Sequence, residues 1–488
     1  MAGVGVELRK LLRTQTYTGL LRSYGYAGII SSGPWVLSIF TIMVLGLGVN
    51  LVGHVSTHGV DAFLVSVTYL VAVSLIVSGL VQLVYTRFVA DRLFAGQRGA
   101  VLPNLVGLLL GGNLVSGVSG AIVILTLFGG TPVLYRLEMF TSYVVLCNIW
   151  LLTVFLAGMK DYMAVVWCFV AGYGTVLVGG LLLRGYGLVG LPGAFTVGQA
   201  VLLFAMLWLV LRDYESDRLV AFDLLRRGLS YPSLIFTGFF YNFGIWIDKF
   251  MFWYNPHTSI PVIGPLRASP IYDFPIFLAY LAIVPGMAVF LVRMETDFAE
   301  RYDRYYDALR DGDTLKHMET FRSDMVDTAR QGIYEIFKIQ GITTAILLLL
   351  APTLMRLLGF SQLYVPLFDI DLVGVGLQVL LLAILNTLFY LNKLMIALAL
   401  CATFAIGNLL LTSLSQWLGV AFYGYGFTIS LGVASLLGLA LLSRQFERLT
   451  YFTFMFQPGP TGIVDREAVE NRTARREARR GMRHRTVD

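Results

Sequence analysis

Asp248 and Lys249 stand side by side within Leu229–Tyr254, LSYPSLIFTGFFYNFGIWIDKFMFWY, a stretch otherwise long and apolar enough to cross a bilayer. A charged side chain deep in a spanning helix costs about 2.5–3.5 kcal/mol on insertion scales. Such a residue faces a bundle interior or a wet cavity rather than lipid. Two readings stand: the pair lines a polar path, or the two charges neutralise each other while Lys249 snorkels to an interface.

Further polar residues fall in apolar segments: Ser31, Ser32, Gln82, Asn113, Asn148, Tyr241, Asn242, Tyr280, Asn386 and Tyr390. Asparagines in such positions serve as glue between helices, worth ~0.6 kcal/mol on average. With Trp246 and a pool of 25 tyrosines and seven tryptophans, they also suit a path for sugars. Aromatic faces stack on sugar C–H surfaces while amides hydrogen-bond hydroxyls. Many of the tyrosines are expected in interfacial belts instead. Pro34, in Ser31-Ser32-Gly33-Pro34-Trp35, and Pro285-Gly286 interrupt two apolar segments and read as kinks suited to gating.

Other chemistry is missing. There is no GxxxxGK[ST] phosphate loop. His54 and His58 form an HxxxH with Asp61 nearby, without HExxH spacing or a third ligand type, so no metal site is expected. The three cysteines, Cys147, Cys168 and Cys401, lie in apolar segments and form no CxxC. No catalytic constellation is readable, and the loops opposite the basic ones are short. These residues point to no cofactor and to a protein that is not an enzyme.

The elements that must position the polar residues are membrane helices. The chain is 57% hydrophobic and only 14% charged, a composition that cannot cover a soluble surface of 488 residues. Apolar segments lie at roughly 24–50, 62–86, 103–128, 140–159, 162–183 and 191–211, then at 229–253, 271–292, 338–358, 370–391, 394–417 and 422–443. The expected fold is an all-α polytopic membrane protein, with twelve transmembrane helices in two six-helix lobes around a central cavity. With both termini cytoplasmic, 31 of the 36 Lys and Arg residues fall on the inner side and only four in outer loops. A miscounted span would invert every later loop and destroy that asymmetry. The +6 net charge therefore reports topology, not nucleic-acid binding. The first apolar run is too long for a signal-peptide core and is not expected to be cleaved.

The expected organisation is a first lobe over 1–211, opening with a basic interfacial helix, then a cytoplasmic linker over 212–228. A second lobe follows over 229–443, and a basic tail, expected to be disordered, over 444–488. The second lobe carries a cytoplasmic insertion, 294–335, in which Phe298, Tyr302, Tyr305 and Leu309 are spaced for one helix and Met318, Phe321 and Met325 for another, with Gly312 between. The pair lies on lipid or docks an enzyme. Ten acidic residues between Glu295 and Asp327 favour docking over an anionic leaflet.

Two lobes with kinked spans and no ATPase motif suggest alternating access. At this point the chain resembles a known family. GVELRKLL and YGYAGIISSGPWVLSI within Gly5–Ile39, and FFYNFGIWIDKFMFW over Phe239–Trp253, are similar to the Pel exopolysaccharide exporters, the PelG family. That family sits within the superfamily of multidrug, oligosaccharidyl-lipid and polysaccharide flippases. The resemblance implies a bacterial inner-membrane transporter exporting a hexosamine-rich polymer for biofilm formation. It also implies partners: a cytoplasmic glycosyltransferase and other inner-membrane Pel proteins, including a cyclic-di-GMP receptor. Flippases of lipid-pyrophosphate-linked sugars are expected to hold several cations in the cavity. Here Lys249 is the one cation read within a span, which suits a neutral glycan. An ion-coupled antiporter of the same superfamily would need acids deep in the first lobe's spans, where none is read. A membrane scaffold for a synthase complex is the third reading.

Overall fold

A computed structural model describes residues 57–156, 162–214, 216–225 and 231–455, with isolated positions between 25 and 45. Ser31, Ser32, Pro34 and most of the expected first span lie outside the described residues, as does the basic tail beyond Met455. The described chain is almost entirely helical. Among the described residues, nine helices are long and apolar enough to cross a membrane.

The first five helices are α1 (Thr57–Phe94), α2 (Val101–Leu127), α3 (Val133–Leu156), α4 (Tyr162–Leu183) and α5 (Gly190–Asp213). α1 ends where Gly96 takes a left-handed turn (φ +75°), with its N–H bonded to Leu93 O and that of Gln97 to Arg92 O. The segment after α5 does not hang free. Ala221 N–H donates to Pro103 O at 2.9 Å, the Asp223 backbone N–H donates to Asn104 Oδ1 at 2.8 Å, and Asn104 Nδ2 donates to Asp223 Oδ2 at 3.2 Å. This stretch is strapped across the start of α2.

The later helices are α6 (Pro232–Tyr254), α7 (Pro270–Tyr280), α8 (Val284–Val292), α9 (Ala299–Asp311), α10 (Leu315–Leu357), α11 (Val365–Tyr390), α12 (Leu394–Leu418), α13 (Tyr425–Glu447) and α14 (Leu449–Met455). Between α6 and α7 a short antiparallel hairpin, β1 (Ile260–Ile263) with β2 (Leu266–Ala268), departs from the all-α expectation. Its turn holds Gly264 at φ +52°. Chain contacts separate residues 440–488 as a second unit, helical through its described part.

Two expected segments come out differently. The span read over 271–292 is broken at Leu281–Ile283, because Pro285 has no N–H to continue the α ladder. Gln340 Nε2 supplies a donor to Ala282 O there at 3.0 Å, and Gly286 leaves room for the Gln340 side chain. The second amphipathic helix of the insertion does not stop before the span at 338. Both belong to α10, 43 residues or about 65 Å long, roughly twice the hydrocarbon thickness. The Gly312 break is found as read: φ is +68°, and Thr314 caps the next helix by accepting from His317 N–H.

α1 and α6 run antiparallel in close contact. A Cβ on Gly238 would strike the Gly79 carbonyl oxygen. At one end Tyr69 stacks on Trp253 at 4.4 Å and its hydroxyl donates to Arg267 O at 3.0 Å. At the other end Tyr231 donates to Asp91 at 2.9 Å. We call these the hairpin end and the linker end.

Candidate functional sites inside the helical bundle

Asp248 and Lys249 are both fully buried and form an ion pair at 3.0 Å. Neighbours on a helix point about 100° apart, so the lysine folds back, donating also to Ile245 O at 2.8 Å. Two other helices complete the site. Tyr272 of α7 donates to Asp248 Oδ2 at 2.6 Å. Asn408 of α12 donates to Asp248 Oδ1 at 3.3 Å and to Gly244 O at 2.8 Å, and Thr412 donates to Asn408 Oδ1. Gly244 lets α12 approach, since a Cβ there would press on Phe404. The ammonium lies 4.8 Å from the Phe427 ring centroid and 5.3 Å from that of Tyr280, within cation–π range.

A second carboxyl faces this pair. Asp371 of α11 is fully buried, and neither oxygen has a hydrogen-bond partner among the described residues. It lies within electrostatic reach of Lys249 and Asp248. Asp273 of α7, which accepts from Trp253 Nε1 at 2.8 Å, also lies within reach of both, so the cluster holds three carboxyls and one ammonium. Asp371 was missed in the sequence because it sits beside Asp369 at the edge of an apolar segment and reads as a boundary. Lys249 is therefore not alone among charged residues in the helices.

Asn386 and Tyr390 form another site, nearer the linker end. Asn386 Nδ2 donates to Glu295 Oε1 at 2.7 Å, and the Tyr390 hydroxyl to Oε2 at 3.2 Å. Glu295 is 8% exposed and belongs to a π-helical turn, Arg293–Phe298, between α8 and α9. Such turns insert a residue into the helical register and re-aim side chains. Arg293 anchors the turn by pairing with Glu335 at 2.5 Å and Asp297 at 2.7 Å. In the sequence Glu295 was one of ten acids in a segment read as a surface, so nothing singled it out.

Of the remaining residues, Trp246 reaches the first cluster, its ring centroid 6.0 Å from the Lys249 ammonium, and the others lie elsewhere. Asn148 donates to Asn113 Oδ1 at 2.6 Å, tying α3 to α2 in the first half. Asn242 donates to Gly238 O at 2.9 Å and lies against Gly79, in the contact between α1 and α6. Trp246 packs on Trp253 and Phe277. Tyr241 lies beside Gln378 of α11. Asp371, Gln378, Asn386 and Tyr390 recur at spacings of 7, 8 and 4, one polar stripe along α11. Among the described residues no group of His, Cys, Asp and Glu could hold a metal ion.

The sequence matches the model of the PelG family, described as "Putative exopolysaccharide Exporter (EPS-E)", over residues 1–454. No curated protein sequence matches it. Among solved structures, an outward-facing multidrug resistance MATE family transporter of the MOP superfamily superimposes with a TM-score of 0.61 at 16% identity, over 87% of this chain and 96% of that one. A MOP superfamily transporter from Pyrococcus furiosus gives 0.57 at 16% identity, over 87% and 96%. A MATE structure in the bent conformation gives 0.58 at 14% identity, over 92% and 99%. At these identities the likeness shows a shared fold.

Proposed function

Because the chain belongs to the PelG family of exopolysaccharide exporters, we propose that it passes a nascent hexosamine-rich polymer out of the cytoplasm across a bacterial inner membrane. The chain is a multi-pass membrane protein, and family and fold point to a transporter rather than an enzyme. The observation that carries the reading is a transporter fold that holds the Asp248–Lys249–Asp371 and Glu295–Asn386 clusters inside its helical bundle.

On this reading the twelve spans form two six-helix lobes over 1–211 and 229–443, and polymer moves between them. The contacts at both ends of the α1–α6 seam support a closed state, opened by parting the lobes at one end at a time. Asp248, Lys249, Trp246 and Tyr280 form the middle of the path's wall, Asn386 and Tyr390 its inner end, and Pro285-Gly286 a bend that flexes. Both termini lie in the cytoplasm. α9 and the first turns of α10 dock the glycosyltransferase, and other inner-membrane Pel proteins, one binding cyclic-di-GMP, complete the assembly. The test uses sealed vesicles bearing the chain with its partners. Labelled polymer enters the lumen, and Asp248→Ala or Lys249→Ala abolishes entry while the complex still assembles. Assembly with unchanged entry in both variants overturns the assignment of the path.

One observation favours a second reading of the driving force. Asp371 and Asp273 beside the Asp248–Lys249 pair set three carboxyls against one ammonium. A cation gradient would then drive export, with the acid in the second lobe rather than the first. Asp371→Asn should abolish any dependence of polymer entry on an imposed ion gradient; full dependence in that variant overturns it.

A further inference from the structure

We propose that the Glu295 cluster is an entrance subsite that binds one nitrogen-bearing pyranose unit of the exported glycan, a proposal that rests on the exporter reading above. Glu295 forms the floor. A carboxylate offers about four acceptor positions, and among the described residues two are filled, by Asn386 Nδ2 and the Tyr390 hydroxyl. Both partners are neutral. Asn386 Oδ1 is buried and has no donor among the described residues. The unfilled capacity is therefore acceptor capacity, which selects a ligand rich in N–H and O–H donors. Neutral N–H and O–H donors both make charge-assisted bonds to a carboxylate, while an ammonium adds its own charge, so a sugar with an amino group at C2 fits better than a plain hexose.

The rim supplies the second half of a sugar site. Tyr302 lies 5.2 Å from Tyr390 and 4.4 Å from Tyr306, ring centre to ring centre, and Phe298 lies 5.3 Å from Tyr390. Tyr302, Tyr306 and Tyr390 are all partly exposed, while Glu295 below them is not. An apolar sugar face can rest on these rings with its donor edge directed at the carboxylate. The charges facing this rim are Arg87 of α1 and Arg310 and Asp303 of α9, all within electrostatic reach of Tyr302. Arg310 also lies 5.2 Å from the Phe94 ring of α1. The subsite is thus placed where the first and second halves meet at the linker end, by the π turn that turns Glu295 inward.

Three β-1,4 tetrasaccharides that differ only at C2 test this: chitotetraose (acetamido), its de-N-acetylated form (ammonium) and cellotetraose (hydroxyl). Binding is measured to the full chain in lipid nanodiscs. The ammonium tetramer should bind at least tenfold more tightly than cellotetraose. Glu295→Gln, which keeps the shape but replaces an acceptor with a donor, should weaken the ammonium tetramer tenfold or more. Tyr302→Leu should do the same, and Tyr302→Phe, which keeps the ring, should not. Equal binding of all three sugars, or unchanged affinity in both Glu295→Gln and Tyr302→Leu, overturns the subsite. The vesicle assay separates the two proposals. Wild-type chain that moves polymer while Glu295→Gln binds like wild type sinks the subsite alone, whereas wild-type vesicles that admit no polymer sink the exporter reading.

Discussion

Lys249 and Asp248 are held by each other and by neutral donors and rings, with no surface exposed in this closed arrangement. Removing one member of a buried ion pair typically costs 3–5 kcal/mol, because the other charge is left uncompensated. Asp248→Asn should therefore lower the thermal midpoint of the detergent-solubilised protein strongly, and the double variant Asp248→Asn/Lys249→Met should recover much of the loss. Asp371 behaves oppositely. Its oxygens accept no hydrogen bond among the described residues, so Asp371→Asn removes none of the bonds seen there and relieves the excess of carboxyls over ammonium. That variant should stay within about 1 kcal/mol of wild type in the same melt, the range of changes that break no named interaction. A large destabilisation by Asp371→Asn would mean that the carboxyl has a partner essential to the fold.

At the scale of elements, the contact between α1 and α6 depends on bare backbone. Gly79 and Gly238 meet face to face, a small-residue crossing of the sort that lets membrane helices approach closely. Gly238→Ile would force the helices apart, with overpacking costs of typically 1–3 kcal/mol. The expected result is a reduced thermal midpoint and faster labelling of a cysteine placed at Asn242; unchanged labelling would show that the crossing does not seal the seam. The broken α7–α8 segment makes a separate case. Gln340→Leu withdraws the donor from Ala282 O, and an orphaned buried carbonyl costs about 1–3 kcal/mol. A melt of that variant matching wild type would mean that the Pro285 break is stable without α10.

At the scale of the whole molecule, the proposed topology puts α10's first turns and the β1–β2 hairpin on opposite sides of the membrane. A single cysteine at Ser323 should react with an impermeant thiol reagent only after the cells are opened. One at Ile260, which is exposed on the hairpin, should react in intact cells. Labelling of both from the same side would remove a span from the count and undo the two-lobe reading. α10 makes the geometry plain, since a helix about twice as long as the bilayer is thick must project from it.

The sequence by itself determined what local pattern controls. Apolar runs must leave water, so helices formed at nearly every described segment where they were read, and Gly312 ended α9 because its backbone turns left-handed there. The stretch around Asp248 and Lys249 stood out because charge in an apolar run needs compensation, whatever the fold. Tertiary structure alone decided who compensates whom. Tyr272, Asn408 and Asp371 lie 24 to 160 residues from Asp248, and they meet it only because α7, α11 and α12 pack around α6. Glu295 looked like one surface acid among ten until a π turn aimed it at Asn386 and Tyr390. Periodicity along a chain reports which side of a helix is wet, but not which helix will stand opposite it.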